Sequence, residues 1–328
     1  MGHGKLKKFA ENETFACLLQ PDAPTLASHD AERRLILHDH PVKGRWNGRM
    51  FPADQPVVLE LGCGKGEYTL ALAARHPEHN YIGVDIKGAR LWKGAKQATA
   101  EARPNVAFLR SRIEFLPALF APGEVSEIWL TFSDPQLKSE NARLTSPVFL
   151  ERYRQFLAPG GIIHLKTDSR FLHEYTAAVV RANGLELLAS GTDIYREGFS
   201  IFAAGGETAF CACPAGDSDA PEPVAARGFM NGRGPQACKD CGRDEDRRSE
   251  GFRGITVSGP LTDTRAVFEV QTFYESMFLK MGLPITYMAF RIDKEGPYVH
   301  PVDFDADYWR AAEGPRRTFS HQPAKGSD

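Results

Sequence analysis

Between Val57 and about Tyr195, short β-rich runs alternate with longer helical ones, and few folds accommodate that alternation. The runs are VVLEL, a helix from Gly66 to Arg75, NYIGV, a helix from Gly88 to Ala102, NVAFLR, SEIWLTF, a helix from Pro147 to Leu157, GIIHLK, and a helix from Phe171 to Asn183. Strands joined through helices run parallel, so the pattern predicts an α/β protein with a doubly wound, mostly parallel sheet covered on both faces. Val57 to Leu61 and Ile128 to Phe132 read as apolar runs rather than alternating ones, as strands buried on both faces do.

Residues 199–267 break the rhythm, being rich in Gly, Pro, Ala, Asp and Arg. They read as an insertion, flexible or locally stapled. After it a helical run from Thr272 to Met281 and the alternating ITYMAFRI resume the sheet pattern, the latter as a late antiparallel strand. The predicted organisation is an amino-terminal arm (1–50), a domain formed by 51–198 and 268–302, the insertion (199–267) and a polar tail (303–328) that loses order beyond Trp309.

With 42% hydrophobic residues among 328, the chain has enough apolar material for a large core. No stretch approaches the roughly 18 apolar residues of a membrane span, and six cysteines in this length do not resemble a secreted disulfide framework. The expectation is a cytoplasmic protein with reduced thiols and no membrane partner. A formal net charge of -2 argues against a protein that coats DNA, so any contact with nucleic acid needs a local basic face. Lys138, Arg143, Arg152, Arg154, Lys166 and Arg170 are the candidates; ordinary solvated surface is the alternative.

The segment Glu60-Leu61-Gly62-Cys63-Gly64-Lys65-Gly66 leaves a strand and enters a helix, a turn at which backbone can approach a ligand. Asp85 ends the next strand, roughly twenty residues on, where a carboxylate can accept hydrogen bonds from ribose hydroxyls. A dinucleotide fingerprint needs its third glycine where Glu67 stands, and a carboxylate there repels a pyrophosphate. Glu60, Glu67 and Asp85 suit instead a phosphate-free cofactor carrying a sulfonium and an ammonium, such as S-adenosylmethionine. The fourth strand ends in Ser133-Asp134-Pro135, which places Asp134 beyond the carboxyl ends of the strands with Gly62 and Asp85; an Asp before Pro is also an ordinary turn.

These blocks together resemble the bacterial tRNA (guanine-N7)-methyltransferase family. The resemblance is carried by ELGCGKGEYTLALAARHPEHNYIGVDIK, LTFSDPQLK with RLTSPVFLERY, HLKTDSRF, and QTFYESMFLKMG followed by ITYMAFRI, in the family's order and over most of the chain outside the insertion and tail. It implies a Rossmann-like class I methyltransferase fold, S-adenosylmethionine as cofactor, and tRNA as partner, with N7 of a variable-loop guanine as target. Carried over by position, it assigns the cofactor site to Glu60, Gly62, Gly64, Asp85, Arg112 and Asp134, catalysis to Asp134, and tRNA contact to Lys138, Asp168, Thr272 and Glu275. Two departures stand out. Arg112 replaces the family's usual Asp or Asn, leaving adenine recognition to backbone groups or Glu114, and Gln136-Leu137-Lys138-Ser139 replaces Trp-Pro-Lys-Lys, removing one of two lysines.

Structural alternatives attach to several of these positions. Thr272 to Glu275 before an apolar helix is a capping box, Asp168-Ser169 is a helix start, and His164 within an apolar strand reads as core rather than base. Cys211 with Cys213 and Cys238 with Cys241 could hold a tetrahedral zinc, but one residue between the first pair is short of the usual spacing. The expectation is no metal. The rival functions are a methyltransferase of this fold acting on another acceptor and a noncatalytic RNA-binding partner.

Overall fold

The β-α alternation closes into one twisted sheet. In the computed structural model, which describes residues 3–202 and 263–314, the strands in chain order are β1 (Leu18–Leu19), β2 (Ala27–His29), β3 (Leu35–Leu37), β4 (Val57–Leu61), β5 (Asn80–Asp85), β6 (Val106–Arg110), β7 (Val125–Thr131), β8 (Leu157–Thr167), β9 (Leu187–Gly191) and β10 (Thr286–Arg291). Eight of them form the sheet in the order β1-β6-β5-β4-β7-β8-β10-β9, while β2 and β3 make a separate hairpin. From β1 to β8 every pairing is parallel. β10 enters antiparallel between β8 and β9, so the late antiparallel strand is found as predicted.

The helices that matter to the site are α1 (His3–Asn12), α2 (Glu67–Arg75), α3 (Gly88–Ala100), α4 (Pro147–Tyr153), α5 (Arg170–Ala182), α6 (Phe273–Lys280) and α7 (Ala306–Glu313). Side chains along each central strand alternate between two cores. Val57, Leu59 and Leu61 of β4 join one apolar cluster and Val58 the other, which is why these strands read as apolar on both faces. The chain leaves β4 for β5 on one side and later places β7 on the other. The strand order therefore reverses at β4, the place where open α/β sheets bind ligands.

Several boundaries differ from the sequence reading. The helix predicted to run to Leu157 stops at Tyr153, because Leu157 is drawn into β8, paired with Val125. The short edge strand β9, unassigned in the sequence reading, pairs antiparallel with β10. The first fifty residues lie along the domain: α1 packs on α3, with Asn12 Nδ2 donating to the Gly88 carbonyl at 2.9 Å, and β1 extends the sheet beside β6. Order also continues past Trp309 through α7. Asp305 caps that helix by accepting from the Asp307 and Tyr308 amides at 3.1 and 2.9 Å. Glu313 at its far end accepts from the Phe171 amide at 3.0 Å, capping α5 in turn. These two caps tie down a segment whose composition alone looks like a tail. The expectations for Cys211, Cys213, Cys238 and Cys241, and for most of the insertion, lie outside the described residues.

Candidate active site

The chain turns from β4 into α2 through three glycines with positive φ, Gly62 at 80°, Gly64 at 59° and Gly66 at 73°, a region that side-chain-bearing residues rarely adopt. They do different jobs. A Cβ added at Gly62 or Gly64 would meet nothing within 4 Å, so this part of the turn borders open space, whereas at Gly66 it would lie 2.4 Å from the Phe108 ring. Gly62 and Gly64 leave room for a ligand, and Gly66 permits packing. Asp85, at the carboxyl end of β5, is bound into the same turn. One carboxylate oxygen accepts from the Gly64 amide at 3.0 Å and the other from the Lys87 amide at 2.7 Å, leaving lone pairs for further donors.

Glu60 is committed inward. One oxygen accepts from the Thr131 hydroxyl at 2.6 Å and the other from the Thr69 amide at 2.8 Å and from the Thr69 hydroxyl. Burial pushes its carboxyl up to about 7, against the pull of the Thr131 and Thr69 hydrogen bonds. It ties β4 to β7 and to the first turn of α2, so its position supports the glycine turn rather than opening onto a ligand.

β4 and β7 pair through Leu61 and Leu130, so the loop after β7 emerges beside the glycine turn. Phe132 and Gln136 adopt left-handed backbone with φ of 51° and 47°, a conformation that must be held by its surroundings. The Phe132 amide donates to the Lys166 carbonyl at 2.8 Å, and Asp134 Oδ1 accepts from the Gln136 amide at 2.9 Å. Arg143 donates to the Gln136 and Leu137 carbonyls at 3.4 and 3.5 Å, and Arg310 of α7 to the Leu137 carbonyl at 3.1 Å. This clamp leaves Asp134 and Lys138 exposed.

The basic face expected from the sequence is reduced by packing. Lys166 and Glu275 are both wholly buried, with Nζ and Oε1 2.7 Å apart. Lys166 also donates to the Val270 carbonyl at 3.0 Å, and Tyr195 donates to Glu275 Oε1 at 2.7 Å. Burial pushes the Lys166 ammonium down and the Glu275 carboxyl up, each opposed by the other. Arg143 is only 3% exposed in its side chain and lies over the Phe171 and Tyr175 rings at 4.7 and 4.2 Å, while Arg154 lies 4.0 Å over the Tyr298 ring. Lys166 is thereby removed from any nucleic-acid face, Arg143 serves as an internal brace, and Arg154, one-third exposed, holds the Tyr298 ring and the Gly296 carbonyl at the surface.

Among the residues assigned to tRNA contact, Lys138 is exposed and Asp168 partly so. The Thr272 hydroxyl accepts from the Glu275 amide at 3.2 Å and caps α6. Glu275 turns inward, yet its Oε2 is buried with no hydrogen-bond partner. His164 is core, as expected: wholly buried, stacked on Trp129 at 3.9 Å and in contact with the Tyr287 hydroxyl at 2.7 Å.

Beyond β5 and β6 lies a cavity of about 250 Å³ whose lining includes Gln20, Asp22, Ile86, Arg110, Arg112 and Phe115. Arg112 reaches it on an exposed side chain paired with Glu114 at 3.0 Å. Sequence reading found Arg112 here but missed Ile86, an exposed apolar residue directly after Asp85, and the wall contributed by Gln20 and Asp22, which only the tertiary path of the amino-terminal segment brings across.

A family model described as "Putative methyltransferase" matches residues 54–198. A Christiangramia forsetii protein named tRNA (guanine-N(7)-)-methyltransferase is 38% identical over 290 residues, covering 88% of this chain and 97% of that one. A protein of the same name from Bacteroides thetaiotaomicron is 35% identical over 319 residues, covering 97% and 98%. The chain belongs to the tRNA (guanine-N(7)-)-methyltransferase family.

For a methyltransferase of this family the sheet is the expected Rossmann-like class I arrangement. The family implies S-adenosylmethionine, and the residues present fit it: open space beside Gly62 and Gly64, a carboxylate at Asp85 held by amides of the glycine turn and of its own loop, and, from Ile86 onward, a cavity of mixed polar and apolar lining. No group of three or more metal-binding side chains occurs among the described residues.

Proposed function

We propose that the protein transfers a methyl group from S-adenosylmethionine to N7 of a guanine in the variable loop of tRNA. The observation that carries this reading is the emergence, from adjacent ends of β4 and β7 at the strand reversal, of a glycine turn bordering open space and a braced loop presenting Asp134. The near-full-length likeness to enzymes of that name supports the acceptor.

When bound, S-adenosylmethionine supplies an electrophilic methyl on a sulfonium. Gly62, Gly64 and Asp85 would hold it, Asp85 through ribose hydroxyls, while Ile86, Arg112 and Phe115 border the space for its base. Guanine N7 already carries an in-plane lone pair, so no side chain has to remove a proton, and the absence of a nucleophile or base constellation from the assigned residues is chemically sound. The protein's contribution is alignment and charge. Asp134 stabilises the positive charge that methylation places on the purine and orients the base. Because N7 faces the deep, narrow groove of A-form RNA, the target guanine must be unpaired or extruded. No helix among the described residues is long and apolar enough to cross a membrane; a tRNA substrate would place the reaction in the cytoplasm.

The test is incubation of the protein with bulk tRNA and methyl-labelled cofactor, followed by nuclease digestion and nucleoside analysis. Label in N7-methylguanosine is the expected result. Label in protein, in another nucleoside or nowhere would defeat the reading.

A further inference from the structure

Helix α6 opens with two aromatic side chains that the fold leaves half outside. Phe273 and Tyr274 are 50% and 44% exposed, with ring centroids 5.9 Å apart and planes at 73°. Single exposed apolar residues need no explanation, but this pair is anchored to another part of the site. The Phe273 amide donates to Oε2 of Glu67, the first residue of α2, at 2.9 Å. Lys65, between Gly64 and Gly66, holds its ammonium 5.0 Å from the centroid of the Phe273 ring. One backbone bond and one cation–π contact thus fasten the aromatic pair to the rim of the glycine turn, next to Thr272.

Solvent-facing rings beside a lysine are how proteins hold unpaired nucleotides: a ring face stacks on any base while the cation meets the phosphate. We propose that Phe273, Tyr274 and Lys65 form a stacking platform for an unpaired base of the RNA substrate, in the single-stranded stretch that carries the methylated guanine. This rests on the function proposed above and adds the device that keeps the stretch open at the site. The rings favour a base over an apolar protein partner because the patch is small and carries its own cation.

The double variant Phe273→Ala with Tyr274→Ala tests it, with tRNA affinity from equilibrium binding, KM and kcat from methylation, and S-adenosylmethionine affinity from calorimetry. Stacking contributes about 1–3 kcal/mol per base, so tRNA Kd and KM should rise about 5- to 150-fold while cofactor affinity and melting temperature stay at wild-type values. Exchange of the rings, Phe273→Tyr with Tyr274→Phe, should retain wild-type affinity. Should the alanine variant fail to fold, Phe273→Leu with Tyr274→Leu keeps apolar volume without ring faces and should show the same loss. If wild-type protein makes N7-methylguanosine and the ring-less variant binds tRNA equally well, the platform is wrong and the enzyme assignment stands. If wild-type protein makes none, both fall.

Discussion

Charge is handled in opposite ways on the two sides of the site. At the carboxyl ends of β5 and β7, Asp85 accepts from amides of the glycine turn and of its own loop, and Asp134 from an amide of its own loop; Asp85 is largely buried and Asp134 stays exposed. At the joint between β8 and α6, Lys166 and Glu275 are wholly buried against each other. The first arrangement satisfies each carboxylate with backbone amides, and at Asp134 it leaves the charge in solvent. The second removes two charges from water and gains position, since Lys166 also holds the Val270 carbonyl and so pins the chain just before α6. Two lysines that look alike in sequence, Lys138 and Lys166, therefore have different work: one faces solvent and the other is a rivet.

The comparison is most severely tested at the rivet. Lys166→Met leaves Glu275 buried and uncompensated, and should cost about 3–5 kcal/mol of stability, read as a lower denaturant midpoint. Adding Glu275→Leu should recover most of that loss. A single Lys166→Met variant as stable as wild type would mean that the pair does not hold the joint.

On the open side the expected loss is catalytic. Asp134→Ala should lower kcat by about 10²–10³-fold without moving the denaturant midpoint, because the side chain is exposed. Near-normal turnover in a folded variant would reduce Asp134 to a turn former.

Glu60 lies between the two cases, and pH separates them. Its folded carboxyl titrates near 7 rather than at its ordinary 4.5, so the folded state holds the proton longer than the unfolded state. Its contribution to stability is complete below about pH 4.5 and is lost as pH rises through about 7, a difference on the order of 1–3 kcal/mol. Glu60→Gln should flatten the stability profile across that window. An unchanged slope would assign the pH dependence elsewhere.

The smallest effect is expected at Lys138. Lys138→Ala should weaken tRNA binding modestly and lower the slope of log Kd against log salt by about 0.7–0.9, one phosphate contact. Coincident slopes would show that this lysine does not touch the backbone.

Local chemistry made much of the architecture readable. Parallel strands buried on both faces leave apolar runs, glycines are needed where φ is positive, and an acid ends β5 and follows β7. Those features are written over a few consecutive residues, so the sheet, the glycine turn, Asp85 and the Asp134 loop could be located without coordinates. Burial of a charged side chain is different, because it depends on what packs over it from distant sequence. HLKTD presents Lys166 as one more base in a polar motif, and only the return of the chain at Val270 and Glu275, over a hundred residues later, closes it off. Arg143 became a brace because Phe171 and Tyr175 of α5 lie beneath it, and the segment after Asp303 became a helix because Glu313 found the unpaired amide of Phe171. The sheet, the glycine turn and the identity of the acidic groups follow from the order of residues alone, because periodicity and backbone conformation are local. Which charges face the ligand and which hold the frame was decided by the tertiary structure, because desolvation and ion pairing are settled between segments far apart in the chain.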